Sequence, residues 1–321
     1  MCASLLPCLL IASGCGDDPE SPAPREVSFE VSATRLPSLP FGKGHYEAWI
    51  AFPEPDEGKA SGAPRAIRHG ELEMISIGKF LVGATGGLVG LDGEQPAWAL
   101  RIERDVNLAA EAWISIEPEG DADTIPEGLL IASEVTGTET RGVASLTVAH
   151  RHIFDLEADA NLAAFSGIYT LETPSDADTT NEALGFYFSS GDTAGLDLPE
   201  LDGEKVVYEA WLEALDGSER HSSGRFTAVE GLDSDGPGFG AGGEVDSFPG
   251  QEFVMGAPLV LNDGSLRLSV TLEPTNDNDT AAPSPFVLFR STIGSGQPTG
   301  VPVAMQNVTD DLPIATIVIN R

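Results

Sequence analysis

Two glutamates in the same four-residue setting are the first candidates for chemistry: Glu47 in Tyr-Glu-Ala-Trp at Tyr46–Trp49, and Glu209 in the identical run at Tyr208–Trp211. Glycoside hydrolysis needs two carboxyl groups at a fixed separation, one protonated near neutral pH and one ionised. A repeated glutamate offers such a pair. The opposing reading is that each Tyr and Trp packs locally while each Glu takes a lysine or a backbone partner within its own half. Repetition favours that reading, because each copy carries the same single glutamate.

Metal ligation is the second candidate. Asp233 and Asp235 in Asp-Ser-Asp-Gly, and Asp277 and Asp279 in Asn-Asp-Asn-Asp, place hard oxygen ligands on turns, which suits Ca²⁺. Ca²⁺ is the one cofactor these residue types suggest, and solvated acidic turns are the alternative in a chain with 51 acidic residues. Pro118–Thr124 is the first-half counterpart of the second turn, and none of these segments has EF-hand spacing. His150 and His152, in His-Arg-His, read as two imidazoles on one side of a strand, a weak pair for Zn²⁺ or Cu²⁺ with no third ligand close in sequence. Nucleophilic and phosphate chemistry find no support. His-Glu-x-x-His, Gly-x-Ser-x-Gly and Gly-x-x-x-x-Gly-Lys-Ser/Thr are all absent, and Gly83–Gly93 lacks the lysine of a phosphate loop. The cysteines are Cys2, Cys8 and Cys15, so nothing beyond residue 15 can form a disulfide or act as a thiol nucleophile.

The elements that would hold these residues alternate with period two. Tyr46, Ala48, Ile50 and Phe52 fall on one face of a strand, with Glu47, Trp49 and Ala51 on the other. Leu266, Leu268, Val270 and Leu272 alternate with polar residues in the same way, and 36 Gly and 23 Pro punctuate such runs. Helical signal is thin: Arg104–Trp113 and Glu157–Ser166 allow a turn or two without an apolar stripe. Four blocks recur in the same order. Leu36–Leu39 answers Leu198–Leu201, Tyr46–Trp49 answers Tyr208–Trp211, Ser76–Phe80 answers Ser222–Phe226, and Ala112–Asp121 answers Leu268–Asp277. The last pair aligns Glu117-Pro118 with Glu273-Pro274. The expectation is an all-β chain of two tandem immunoglobulin-like or jelly-roll-like β-sandwich domains from an internal duplication, at 26–155 and 156–321. Two long loops, Pro53–Glu71 and Gly231–Phe253, distinguish the halves, and loops on a rigid scaffold are the usual place for binding.

Seventeen Lys plus Arg against 51 Asp plus Glu give a formal charge of −34, which repels phosphate backbones and excludes nucleic acid as a partner class. The first residues, Met1 to Gly14, form an apolar run ending in Ala12-Ser13-Gly14 before Cys15, and the segment resembles a bacterial lipoprotein signal. That resemblance implies lipidation at Cys15, a disordered tether over 15–25 and anchoring in the bacterial cell envelope. An ordinary cleaved signal peptide is the alternative.

Tyr-Glu-x-Trp, then Ser-x-Gly-x-Phe, then a strand ending in Glu-Pro resembles the extracytoplasmic C-terminal domain of anti-sigma-K factors of the RskA type, present here as tandem copies. The matching residues are Tyr46, Glu47, Trp49, Gly78, Phe80, Glu117 and Pro118, and then Tyr208, Glu209, Trp211, Gly224, Phe226, Glu273 and Pro274. The resemblance implies a β-sandwich outside the cytoplasm. The expected function is a lipid-anchored extracytoplasmic protein with a non-catalytic binding or structural role. Its partners would be the membrane, through lipid, and an envelope protein. An accessory role in envelope-stress signalling and a secreted hydrolase acting on glycans or peptides are the alternatives.

Overall fold

The computed structural model describes residues 24–40, 42–53, 72–122, 125–175, 177–237, 248–255, 258–275 and 281–321. The leader, Cys15, most of the tether, most of the 53–71 loop, Asp277 and Asp279 lie outside the described residues.

The chain is all-β, and the helical segments among the described residues are short 3₁₀ turns. Two of these, Val106–Leu108 and Leu162–Ala164, fall where weak helical signal was expected. The first half supplies β1 (Arg25–Thr34), β2 (His45–Pro53), β3 (Leu72–Val82), β4 (Leu88–Gly90), β5 (Ala99–Ile102), β6 (Glu111–Glu117), β7 (Gly128–Glu134), β8 (Thr136–Thr138) and β9 (Arg141–Thr147). Short strands follow: β10 (Ser166–Tyr169), β11 (Gly185–Tyr187), β12 (Ser189–Ser190), β13 (Thr193–Ala194) and β14 (Leu196–Asp197). The second half adds β15 (Val206–Ala214), β16 (Arg220–Phe226), β17 (Gly250–Glu252), β18 (Leu266–Pro274), β19 (Val287–Thr292), β20 (Val303–Ala304), β21 (Gln306–Asn307) and β22 (Ile314–Asn320).

A ten-stranded sheet runs β4-β3-β2-β6-β7-β9-β22-β1-β5, with β8 paired to β9, and a five-stranded sheet runs β16-β15-β18-β19-β21. The C-terminal strand β22 lies between β9 and β1, so the end of the chain completes the first sheet and crosses the boundary expected at residues 155 and 156. Its run Ile314-Ala-Thr-Ile-Val-Ile-Asn is β-branched and apolar. Ile317 and Ile319 are fully buried in one hydrophobic core that also includes Phe29, Tyr46, Tyr208 and Leu272. The two sheets meet where β15 and β18 pack against β7.

Three of the four repeated blocks occupy corresponding strands, and the Leu-Pro-x-Leu blocks precede β2 and β15 outside any strand. β2 pairs with β3 so that Tyr46 faces Phe80 and Glu47 faces Lys79, and β15 pairs with β16 so that Tyr208 faces Phe226 and Glu209 faces Arg225. On the other side Tyr46 faces Ile116 and Tyr208 faces Leu272. Each tyrosine ring packs against its phenylalanine with ring centroids 5.5 Å apart, stacked in the first half and tilted in the second. Each hydroxyl donates to a proline carbonyl nine residues earlier, Tyr46 to Pro37 and Tyr208 to Pro199, at 2.9 Å in both halves. Both hairpins carry a bulge after the Tyr-Glu, and both place a glycine with positive φ there, Gly78 at 151° and Gly224 at 110°.

The period-two alternation of Tyr46–Phe52 does not separate a buried face from an exposed one. Both β2 and β15 are buried on both faces, including Glu47, Trp49, Glu209 and Trp211. They are interior strands of their sheets, so the polar residues on the second face need internal partners.

Candidate functional site

Glu47 and Glu209 sit in separate sheets, and each has its own cation. Lys79 Nζ lies 3.3 Å from Glu47 and 3.1 Å from Asp121, and Arg225 Nε lies 2.9 Å from Glu209, which also accepts from Ser222. Burial alone would lower the Lys79 ammonium, but the hydrogen bonds and charges of Asp121 and Glu47 raise it above its ordinary value. The Ser-x-Gly-x-Phe blocks therefore carry a structural cation at their fourth position, Lys79 or Arg225, facing the glutamate across the strand pair. The pattern was visible in the sequence as a lysine and an arginine at matched positions.

Glu117 and Glu273 do parallel work. Glu117 accepts from the Ser115 hydroxyl and from the backbone N–H of Glu127, and Glu273 accepts from the Thr271 hydroxyl and from the N–H of Ser284 at 2.7 Å. Each ties the return segment beyond its Glu-Pro to the strand it left. Burial pushes the Glu117 carboxyl up to about 7, with the Ser115 and Glu127 hydrogen bonds opposing and the Glu47 and Asp121 charges reinforcing.

Asp233, a candidate Ca²⁺ ligand on a turn with a solvated turn as the alternative, is buried at 7% exposure. Its Oδ1 accepts from Asp235 N at 3.2 Å and its Oδ2 from Gly250 N at 3.0 Å, so the carboxyl latches the start of the long loop to β17. Burial raises it to about 7 against those backbone bonds. Gly224 makes room for it, since a Cβ there would lie 2.7 Å from Asp233 Oδ1. A cleft of about 340 Å³ lies alongside, lined by residues that include Arg225, Phe226 and Asp233.

The cluster with metal-ligand chemistry lies elsewhere. His150 and His152 belong to a turn after β9 rather than to a strand, and their ring centroids are 5.0 Å apart. The missing third group is Glu111, 39 residues earlier at the start of β6, placed there by the pairing of β6 with β7 and of β7 with β9. Glu111 Oε1 lies 3.0 Å from His152 Nε2 and 2.9 Å from an Arg151 nitrogen, while Trp113 Nε1 donates to Oε2 at 2.8 Å. Burial alone would raise the Glu111 carboxyl, but His152, His150 and Trp113 hold it below its ordinary value. Burial lowers His150, which is 1% exposed. No spacing rule in the sequence pointed to Glu111, because only sheet register brings it to the histidines.

No protein-family model, curated protein or solved structure matches the chain. Function therefore has to be argued from this geometry. Among the described residues no helix is long and apolar enough to cross a membrane.

Proposed function

We propose that the chain is a lipid-anchored extracytoplasmic protein of the bacterial cell envelope with a non-catalytic binding or structural role, built from two copies of one immunoglobulin-like β-sandwich module. The observation that carries the non-catalytic reading is the use made of the repeated polar residues. Glu47 and Glu209 neutralise a neighbouring cation, Glu117 and Glu273 tie down return segments, and Tyr46 and Tyr208 hold a proline carbonyl. Glycoside hydrolysis by a carboxyl pair needs both groups turned toward one substrate, whereas these act inside their own sheets. The matched registers of the two halves support duplication, and the Ala-Ser-Gly-Cys leader supports a lipid anchor at Cys15.

The resemblance to the outer domain of anti-sigma-K factors favours a second reading, an accessory role in envelope-stress signalling. It requires a membrane-spanning partner that co-purifies with this chain. The anchor is tested by metabolic labelling with an alkynyl palmitate analogue in a bacterial host. The full chain takes up label and fractionates with membranes, and Cys15→Ser takes up none. Label that persists in Cys15→Ser would overturn the anchor.

A further inference from the structure

We propose that Glu111, His150 and His152 form a binding site for one divalent transition ion, with Zn²⁺ the best fit. Two imidazoles and a carboxylate are the donor set that borderline ions such as Zn²⁺ prefer, whereas Ca²⁺ and Mg²⁺ take all-oxygen shells. One ligand atom from each residue lies within 4.8 Å of the others. Glu111 Oε1 and His152 Nε2 are already 3.0 Å apart, close to the ~3.3 Å edge of a tetrahedron with bonds of about 2.0–2.1 Å.

The independent observation is His150. Among the described residues neither ring nitrogen has a hydrogen-bond partner, although the side chain is almost fully buried. A buried imidazole with both nitrogens unsatisfied costs free energy, and an ion bound at one nitrogen would recover that nitrogen's share. Trp113 supplies the outer support, fixing Glu111 Oε2 so that Oε1 faces the histidines.

Arg151 opposes the ion. It bridges Glu111 at 2.9 Å and Glu134 at 2.7 Å, and its backbone N–H is held by Asp159 at 3.0 Å. Arg151 and Glu134 also line a cleft of about 610 Å³. Binding would leave Arg151 on Glu134 and release Glu111 Oε1 to the metal, so the guanidinium acts as an internal competitor. The other acid–histidine group, His45, Glu47 and Asp121, differs because the Lys79 ammonium already sits against both carboxylates. In the second half Arg267 occupies the register position of Glu111, two residues before the serine that faces Trp211, and pairs with Glu213 at 3.0 Å. The site thus belongs to the first half alone.

The test is titration of the EDTA-treated full chain with Zn²⁺ by calorimetry and with Co²⁺ by visible absorption, in excess Mg²⁺ to saturate the acidic surface. The expected result is one equivalent of Zn²⁺, displaced Co²⁺ with d–d bands of nitrogen and oxygen ligation, at least tenfold weaker binding in His150→Ala and His152→Ala, and severalfold tighter binding in Arg151→Met. His45→Ala leaves binding unchanged. Thermal unfolding of each variant checks that it folds, and Glu111→Gln provides a milder replacement if a histidine variant does not. Absence of a stoichiometric site in excess Mg²⁺, or affinity unaltered by the histidine substitutions in folded variants, would overturn the proposal.

Discussion

Replacing Glu117 with glutamine tests the buried carboxyls most simply, because the amide keeps the shape and an acceptor oxygen for Glu127 N–H while removing the titration. Glu117 is fully buried, and its carboxyl is raised from 4.5 to about 7 in the folded protein. A raised acid favours the folded state fully below its unfolded pKa, and that stabilisation is lost as pH rises through the folded value. Between pH 4.5 and about 7 the loss amounts to roughly 3 kcal/mol at about 1.4 kcal/mol per pH unit. For a chain of this length that corresponds to roughly 4–5 °C in the unfolding midpoint. Differential scanning calorimetry from pH 5 to pH 8 at fixed ionic strength should therefore show the parent losing stability as pH rises. Glu117→Gln should show a shallower decline, without abolishing it, because Asp233 is raised to about 7 and contributes in the same direction. At pH 8 the variant should match or exceed the parent. A variant profile parallel to the parent's would refute the reasoning, since it would mean that Glu117 ionises as freely in the fold as in the unfolded chain.

Trp211→Ala empties a site that is 1% exposed and should cost about 3–5 kcal/mol by denaturant unfolding, with a smaller loss pointing to local collapse. Gly224→Ala forces a Cβ against Asp233 Oδ1 at 2.7 Å and Asp235 N at 2.8 Å with φ at 110°, so it should cost about 2 kcal/mol or more. Gly217→Ala, at an open turn, serves as the control for the φ penalty alone. With both Asp233 oxygens held by backbone N–H groups, thermal unfolding of metal-free protein with and without CaCl₂ at matched ionic strength should give the same midpoint. A calcium-dependent rise that disappears in Asp233→Asn/Asp235→Asn would instead place an ion at that turn.

Strand content was legible because period-two alternation and Gly/Pro punctuation are local signals, and three of the four matched blocks land on corresponding strands and registers. The partner of Glu47 was legible in kind, since Lys79 and Arg225 stand at matched positions in Ser-Ile-Gly-Lys-Phe and Ser-Ser-Gly-Arg-Phe. Three features were not legible, for a shared physical reason. The insertion of β22 between β9 and β1 depends on pairing across most of the chain, and nothing in Ile314–Asn320 states its neighbours. Glu111 reaches His150 and His152 through the register of three strands, so its distance in sequence concealed it. The burial of Asp233 was hidden in the same way, because the group that fixes it is the backbone of Gly250.

The claim that two copies of one module frame this protein is tested most directly by removing the same hydroxyl from each half. Tyr46 and Tyr208 are fully buried, and each is the hydrogen-bond partner of a proline carbonyl, Pro37 or Pro199. Tyr46→Phe and Tyr208→Phe each leave that carbonyl without the bond, at a cost of about 1–2 kcal/mol. Because the two sites share no partner, the double variant should lose the sum. Equal losses that add in equilibrium unfolding are the predicted result. A loss confined to one tyrosine, with the other neutral, would contradict the account.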